Sequence, residues 1–432
     1  MKMRHLLPIL LLAASFTLQA QIQVEPESAR RTTEALLDHL DRGEFAKAHA
    51  MFDATMQAAI SESQLRQVWQ SLGAADERSG SRIEAQGQGH ISQTVLQRAD
   101  SRWVATVNIT ADGKIAGLWV KPMLASQPAP AIPADASYSE SETRIGDEAT
   151  ALPATLAMPK GKGPFPAVVL VHGSGAHDRD ETIGPNRPFL DIARALAAEG
   201  IAVLRYDKRS KARPGDYAQG ISIDSETTDD ALMAVAHLRS LPGIDGERIF
   251  VLGHSQGGMM APRIGLGDNK IAGLILFAAP ARNLLDILVE QNERLLHMQG
   301  QDSTPAGIAH MQKLKSDIAA VRRGDTDARL IGLDSRYWQS VDAVDPLREA
   351  KASRQPLLIL HGGHDIQVVD ADWQAWRAAF DGDTRASLRH YPTLNHLGMQ
   401  SPANAGLESY QTPGKVDAAL LADTIRWIKS LP

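Results

Sequence analysis

Two periodicities follow one another in the first third of the chain. Between residues 27 and about 72, apolar side chains recur at spacings of three and four, which predicts amphipathic helices. From about Arg82 the period changes to two, most clearly over residues 103–109, and Asp112-Gly113 predicts a hairpin turn before a further strand over 115–120. Helices followed by antiparallel strands indicate a small α+β domain, which we assign to residues 22–121.

A change of composition ends this domain. Residues 122–137 read PMLASQPAPAIPADAS, a stretch rich in proline and alanine. Such a composition favours extended, fairly stiff chain without a core of its own. We therefore predict a linker here and a second domain over residues 138–432.

The pattern of the second domain is one of short apolar runs separated by helical stretches. Runs of this kind suit strands that are buried on both faces of a parallel sheet, and their alternation with helices indicates βαβ units. A hairpin over 142–145 and 152–157 is predicted to lead the sheet, and a strand over 387–391 to close it. The runs lie at 167–171, 201–204, 249–252, 274–277 and 357–360.

One connection in this domain is unusually long. Roughly seventy residues, 281–350, separate two predicted strands and carry amphipathic helical patterns at 284–298 and 308–321. We interpret them as an inserted helical cap over one edge of the sheet. A plain crossover with long surface helices is the alternative.

The N-terminus has the layout of a secretory signal peptide. Lys2 and Arg4 precede an apolar stretch over 6–16, and the small residue Ala20 is followed by polar chain. We predict that residues 1–20 are removed on export to the periplasm or the medium of a bacterium; a buried N-terminal element is the alternative. Since no later segment reaches eighteen apolar residues, we expect no stable membrane anchor.

Composition and charge exclude several classes of protein. The 432 residues are 43% hydrophobic and 22% charged, which is typical of globular proteins. The net charge is −6, or −8 without Lys2 and Arg4, and no basic block is present, so nucleic-acid binding is not expected. The absence of cysteine excludes disulfides, a lipidated cysteine, thiolate metal sites and a cysteine nucleophile.

The strongest chemical signal is GHSQG at 253–257, directly after the predicted strand 249–252 and at the start of a predicted helix. In this strand–turn–helix context, small residues at both ends allow a sharp turn that projects the Ser255 hydroxyl into a cleft. The pattern predicts a nucleophilic serine. An ordinary glycine-rich turn is the alternative.

A second glycine-rich turn follows an earlier strand, at His172-Gly173-Ser174-Gly175. Backbone amides of this turn, together with the N–H of Gln256, are predicted to form an oxyanion hole. Ser174 is the main candidate, with Gly173 or Gly175 as alternatives. No Lys-Ser/Thr follows, so a P-loop is not indicated.

A serine nucleophile needs a base and an orienting acid, and candidates for both follow later strands in the order serine, acid, histidine. Asp365 comes after strand 357–360, and His396 comes after strand 387–391. His390 and His364 are poorer bases, because one lies within a strand and the other lies beside the acid. We predict a triad of Ser255, Asp365 and His396.

Two charged clusters, 177–181 and 205–209, also follow strands of the predicted sheet. Substrates bind at this edge of open α/β sheets, so the clusters could orient a polar substrate group. We favour ion pairs that brace the loops. The histidines at 172, 254, 361 and 364 lack the spacing of a metal site, and we predict neither metal nor cofactor.

Several of these segments resemble the α/β-hydrolase superfamily and, more narrowly, the exported esterases of the EstD-type carboxylesterase group. The resemblance covers about 138–432, and GEFAKAHAMF at 43–52 with LRQVW at 65–69 is similar to a domain of unknown function found ahead of such enzymes. The segments are HGSGAHDRDETIGPN at 172, IAVLRYDKR at 201, GHSQGG at 253, HGGHD at 361 and LNHL at 394.

The resemblance implies an α/β-hydrolase fold with a helical cap and a serine hydrolase that cleaves small carboxylic esters through an acyl-enzyme. It carries no acyl-chain preference, because the cap is the most variable region of such enzymes, and short acyl chains are a separate expectation. The resemblance assigns Ser255 as nucleophile, Asp365 as acid and His396 as base, with Ser174 and Gln256 as oxyanion donors. A thioesterase or peptidase that uses the same triad, and an N-terminal domain that binds a ligand or partner, are the alternatives. The oligomeric state stays open.

Overall fold

The computed structural model describes residues 26–86, 89–98, 101–122 and 129–432. The predicted signal peptide, 1–20, and part of the predicted linker, 123–128, lie outside the described residues. The chain divides into two units between Pro128 and Ala129, inside the segment predicted as a linker. Residues after that division belong to the second unit: the Pro130 carbonyl accepts a hydrogen bond from Arg194 at 2.7 Å, and Ser137 Oγ donates to the Ala198 carbonyl at 3.1 Å.

The first unit consists of four helices followed by a four-stranded antiparallel meander in the order β1-β2-β3-β4. Its core joins helix residues such as Leu36 and Leu40 to strand residues such as Val107 and Ile109. The helices are α1 (Pro26–Asp41), α2 (Phe45–Ala50), α3 (Ala54–Ala59) and α4 (Glu62–Ser71); the strands are β1 (Ala75–Gln86), β2 (Gly89–Arg98), β3 (Ser101–Ile109) and β4 (Ile115–Pro122).

The sheet of this unit begins earlier than the predicted start near Arg82. Strand β1 is mostly polar, and its pairing with β2 shifts register between Ala75 and Arg78 and again between Ser79 and Arg82. Each shift interrupts the alternation of inward and outward side chains. For this reason the first half of β1 carries no readable period of two.

The second unit is built on an eight-stranded sheet in the order β14-β13-β10-β9-β7-β8-β6-β5. All pairs of neighbouring strands are parallel except two. Strands β5 and β6 form the predicted leading antiparallel hairpin, and β6 also pairs antiparallel with β8. The strands of this sheet are β5 (Tyr138–Ile145), β6 (Leu152–Pro159), β7 (Phe165–Val171), β8 (Ala202–Tyr206), β9 (Ile244–His254), β10 (Gly273–Phe277), β13 (Leu357–Gly362) and β14 (Ala386–Tyr391), while β11 (Arg329–Leu330) and β12 (Leu333–Asp334) form a separate hairpin.

Helices cover both faces of this sheet. Val169 of β7 packs in one core with Met259 and Ile264, whereas its neighbour Val168 packs in a second core with Phe189. The helices are α5 (Pro188–Ala198), α6 (Arg209–Ala212), α7 (Asp229–Ser240), α8 (Gln256–Gly267), α9 (Leu284–Met298), α10 (Pro305–Arg322), α11 (Ser335–Asp342), α12 (Pro346–Ala352), α13 (Asp370–Ala379) and α14 (Ala418–Ser430). The two-sided burial explains why each predicted run is apolar throughout.

The long insertion lies between β10 and β13 and contains α9 to α12 with the β11–β12 hairpin. Helix α9 has the predicted bounds, and α10 extends the predicted segment 308–321 at both ends. Three side chains of the insertion, Leu314, Ile318 and Val341, join the core on one face of the sheet. In the described parts of the chain, no helix is both long enough and apolar enough to cross a bilayer.

Candidate active site

Ser255 occupies a strained turn between β9 and α8, with φ 52° and ψ −119°. Its N–H donates to the Phe277 carbonyl at 2.9 Å, and its carbonyl accepts the N–H of Met259 at 2.9 Å, so both neighbouring elements hold the turn. A Cβ atom at Gly253 would lie 2.1 Å from the Gly257 carbonyl oxygen, and one at Gly257 would lie 2.2 Å from that of Val171. The glycines of the motif are therefore required by space.

Asp365 and His396 form a buried pair in which Asp365 Oδ2 lies 2.7 Å from His396 Nδ1. The other carboxylate oxygen accepts the N–H groups of Gln367 at 2.8 Å and Val368 at 2.9 Å. Burial would raise the pKa of Asp365, but His396 and the hydrogen bond from Val368 help to lower it below its ordinary value. An ionised Asp365 accepts the Nδ1 proton, which leaves Nε2 of His396 to act as a base.

The loop that carries His396 is fixed by its own hydrogen bonds and by the turn of Ser255. The N–H of Asn395 donates to the Met399 carbonyl at 2.9 Å, and its side-chain oxygen accepts the N–H of Leu397 at 3.0 Å. His254, next to Ser255, donates from Nε2 to the His396 carbonyl at 2.9 Å, and the two rings lie 4.8 Å apart. These contacts bring the predicted nucleophile and base to neighbouring positions.

The two histidines that the sequence ranked as poorer bases have other contacts. His364 Nδ1 lies 2.6 Å from the Ser401 carbonyl oxygen. His390 packs beside His361, with 5.8 Å between ring centroids, and beside Trp373 at 5.3 Å. Neither contact involves the turn of Ser255.

The glycine-rich turn after β7 packs directly against Ser255, since a Cβ atom at Gly173 would lie 3.2 Å from Ser255 Cβ. The N–H of Gly173 donates to Glu181 Oε1 at 2.7 Å, so it is not free to bind substrate. Of the residues predicted from this turn, Ser174 and Gly175 remain candidates for the oxyanion donor. Ser174 is exposed.

Gln256, the other predicted oxyanion residue, begins α8 directly after Ser255. Its buried side chain accepts a hydrogen bond from Lys208 Nζ at 3.2 Å and donates to the Tyr337 hydroxyl at 3.3 Å. Tyr337 belongs to α11, so the insertion reaches the first turn of α8. Both contacts use the side chain of Gln256, whereas the predicted oxyanion donor is its backbone N–H.

Comparison with known proteins decides the family. A family model described as serine aminopeptidase, S33, matches residues 163–401. Over 397 aligned residues the chain is 32% identical to Esterase EstD of Thermotoga maritima. The alignment covers 91% of this chain and 93% of that protein. The chain belongs to this α/β-hydrolase family. The predicted family and fold class are confirmed.

Solved structures of esterases are also similar to this hydrolase. The Pyrococcus furiosus esterase Pf2001 is 17% identical, with 70% of this chain and 95% of that chain covered and a TM-score of 0.45. Est1E from Butyrivibrio proteoclasticus is 16% identical, with 67% and 99% covered and a TM-score of 0.42.

One buried ion pair of this α/β-hydrolase was not predicted from the sequence. Glu181 Oε2 lies 2.9 Å from His254 Nδ1, and both side chains are buried. Burial would raise the pKa of Glu181, but His254 lowers it to about 2. Burial opposes the charge on His254 as well, yet Glu181 raises the pKa of that imidazole. Each group therefore favours the charged form of the other, and the pair links the turns of Gly173 and Ser255.

The arginines of the two charged clusters form the ion pairs that we favoured. Arg179 Nε lies 3.0 Å from Asp207 Oδ1, and Arg205 bridges Asp180 at 2.9 Å and Glu140 at 3.0 Å. These contacts tie the loops after β7 and β8 to each other and to β5.

Three residues of the clusters instead reach the turn beside Ser255: Glu181 and Lys208 contact Gly173, and His177 Nε2 lies 2.7 Å from the Ser174 carbonyl oxygen. Within the described ranges, no group of three or more histidine, aspartate or glutamate side chains is placed to hold a metal ion.

Proposed function

We propose that this α/β-hydrolase cleaves carboxylic esters through a covalent acyl-enzyme, with Ser255 as nucleophile, His396 as base and Asp365 as the orienting acid. The observation that carries the assignment is the 2.7 Å contact between Asp365 and His396 beside the strained Ser255. The family match and the esterase relative support the same enzyme class, a carboxylesterase-type hydrolase.

The reaction runs in two halves on these residues. His396 Nε2 takes the Ser255 hydroxyl proton as Oγ attacks the ester carbonyl, and the backbone N–H groups of Ser174 and Gln256 hold the oxyanion. Collapse breaks the ester C–O bond, and His396 protonates the leaving alcohol. A water molecule then loses a proton to His396, attacks the acyl group and releases the acid, and His396 returns a proton to Ser255.

We propose that the insertion limits the substrate to short acyl chains. Tyr337 of α11 is buried against Gln256, the residue that follows the nucleophile. Its hydroxyl also donates to the buried Glu226 at 2.7 Å, so the ring has little freedom to move aside. A side chain fixed so close to the oxyanion donor leaves less room for a long acyl group.

Peptide cleavage is the second candidate, because the matching family is described as a serine aminopeptidase. An aminopeptidase needs a group that receives the substrate's ammonium, and a carboxylate is suited to that task. Glu181 pairs with His254, and Glu226 accepts the Tyr337 hydroxyl and lies 3.5 Å from Lys208 Nζ. Because these two buried carboxylates, which lie next to the turn of Ser255 and its contacts, already have protein partners, we place ester hydrolysis first.

We also propose that the protein is exported to the periplasm or the medium. The signal-peptide pattern of residues 1–20 supports this proposal. N-terminal sequencing of protein recovered from the periplasm or medium tests it. We expect the mature chain to begin directly after Ala20, and a chain that retains Lys2 would contradict export with cleavage.

Hydrolysis of p-nitrophenyl esters from acetate to palmitate tests the substrate class, with Ser255→Ala as the blank. We expect turnover that depends on Ser255 and falls as the acyl chain lengthens. A preference for palmitate would contradict the role given to the insertion. If no ester is hydrolysed and an aminoacyl p-nitroanilide is cleaved in a Ser255-dependent reaction, the protein is a peptidase and not an esterase.

A further inference from the structure

Gly173 is held on both sides by buried charges that the triad does not use. Its N–H donates to Glu181 Oε1 at 2.7 Å, and its carbonyl accepts a hydrogen bond from Lys208 Nζ at 2.8 Å. Glu181 is 0% exposed and Lys208 is 2% exposed. Burying an ammonium this completely is costly, so its contacts must offset that cost.

The Lys208 contact bears directly on Ser174, because the carbonyl of Gly173 and the N–H of Ser174 belong to one peptide group. That group is planar, and in a trans peptide its carbonyl and N–H point in opposite directions. Fixing the carbonyl therefore fixes the direction of the N–H. A cation on the oxygen also draws electron density from the nitrogen, which makes the N–H a stronger donor.

We propose that Lys208 is the positioning residue of the oxyanion hole: it holds and polarises the Gly173–Ser174 peptide so that the Ser174 N–H faces the developing oxyanion. This inference rests on the proposed function. Lys208 lies on the carbonyl side of the peptide, away from the N–H, and so acts without touching substrate.

The same ammonium contacts the other half of the predicted hole. Lys208 Nζ lies 3.2 Å from Gln256 Oε1, at the first turn of α8. Its third partner is Glu226 Oε1 at 3.5 Å. The three donors of the ammonium thus meet three oxygens from three separate segments. The Lys208 ammonium thus connects the Gly173–Ser174 peptide to Gln256, and the carboxylate of Glu226 balances its charge.

The partner Glu226 also links this arrangement to the insertion. The Tyr337 hydroxyl donates to Glu226 Oε2 at 2.7 Å and accepts from Gln256 Nε2 at 3.3 Å. The carboxylate thus receives contacts from the lysine and from α11. A variant that removes only Lys208 would leave this carboxylate buried without its cation, which the test must take into account.

The test compares Lys208→Met, which keeps the length of the side chain without its charge, with the charge-balanced double variant Lys208→Met/Glu226→Gln. The control is Lys211→Met, an exposed lysine in α6. Each folded variant is assayed for kcat and KM on p-nitrophenyl acetate, with Ser255→Ala as the blank. The affinity for a trifluoromethyl ketone, which forms an oxyanion with the serine, is measured in parallel, together with Tm.

We expect both Lys208 variants to lose about a hundredfold in kcat, the size of effect seen when one oxyanion donor is lost. The trifluoromethyl ketone should bind more weakly by a similar factor, while KM stays within about threefold. Lys211→Met should change none of these values. A residue that merely stabilised the fold would lower Tm without this parallel loss.

The proposal is overturned if the double variant folds and keeps both kcat and ketone affinity within about threefold of the wild type. It is also overturned if kcat falls while ketone affinity is unchanged, because the defect would then lie outside the oxyanion hole. Failure of the proposed function looks different: the wild type itself would show no hydrolysis above the Ser255→Ala blank.

Discussion

Each unit of the chain buries a cluster of charged groups, and the two clusters have different surroundings. In the first unit Asp41 pairs with Arg78 and with the buried Arg98 at 2.8 Å, and Arg98 lies 5.1 Å from the centre of the Trp69 ring. In the second unit Lys208 and Glu181 hold the backbone of Gly173 beside Ser255.

The contrast shows that a buried charge does not by itself mark a functional site. The named partners of Asp41 are side chains of α4, β1 and β2 of the same small core, and they join its helices to its sheet. The partners of Lys208 and Glu181 include peptide groups of the turn that packs on Ser255. Contact with those peptide groups, rather than burial, distinguishes the second cluster.

The largest effect is expected from Ser255→Ala, because Ser255 is the proposed nucleophile. The result tests whether catalysis depends on the second unit. Removing the nucleophile should lower kcat/KM by about 10⁴-fold or more, while Tm changes little because the turn keeps its backbone contacts. Hydrolysis of p-nitrophenyl acetate and thermal unfolding measure both quantities. Ser430→Ala, an exposed serine on α14, is the control and should match the wild type.

Asp365→Asn should have the next largest effect. The amide cannot serve as an ionised acceptor for His396 Nδ1–H, so the imidazole loses its orientation and the stabilisation of its protonated form. We expect kcat to fall by between about 10² and 10⁴-fold. Asp370→Asn is the matched control, because Asp370 is exposed at the start of α13. Full activity of Asp365→Asn, together with a loss of activity in Asp370→Asn, would show that the acid is Asp370.

The Glu181–His254 pair predicts a specific dependence of stability on pH. The folded pKa of Glu181 is about 2, below its ordinary 4.5, so its stabilisation is complete above pH 4.5 and is lost as the pH falls towards 2. That shift corresponds to about 3 kcal/mol. The pKa of His254 is raised above 6.5, so its contribution is lost as the pH rises through the folded value.

Urea unfolding of the wild type and of Glu181→Gln/His254→Gln from pH 2 to 9 measures this dependence. The wild type should lose stability relative to the double variant as the pH falls below 4.5 and again as the pH rises above 6.5. A constant difference across the whole range would show that the pair is not ionised in the folded protein.

The smallest effect on catalysis is expected from the cluster of the first unit. Arg98→Met leaves Asp41 with Arg78 as its cation and the Trp69 indole N–H as a further donor, and we expect it to reduce the free energy of unfolding by about 3 kcal/mol. The kcat/KM for p-nitrophenyl acetate should stay at the wild-type value. Arg102→Met, an exposed arginine on β3, should change neither quantity. A tenfold loss of kcat/KM in folded Arg98→Met would remove the distinction between the two clusters.

The sheet and the arrangement of Ser255, Asp365 and His396 could be anticipated because local pattern determines them. Strands buried on both faces leave uninterrupted apolar runs, and Ser255 and Asp365 follow two of those runs. His396 follows the partly polar edge strand β14. The long pairing of β1 with β2 could not be anticipated, because its register shifts remove the alternation on which such a prediction depends.

The roles of Glu181 and Lys208 could not be predicted for a different reason. Each lies in a run of charged neighbours, and the sequence does not show which member faces inward. Asp180 pairs with Arg205, whereas the next residue, Glu181, turns to Gly173 from a backbone with φ 51°. That φ value arises only in the folded loop, so the direction of the side chain is a tertiary property.

The most direct test of the central claim is labelling of the folded protein with a fluorophosphonate, followed by intact mass measurement and peptide mapping. We predict a single adduct on Ser255 of the wild type and none on Ser255→Ala. A folded wild type that stays unlabelled, or an adduct on another residue with hydrolysis retained in Ser255→Ala, would contradict the assignment of Ser255 as the nucleophile.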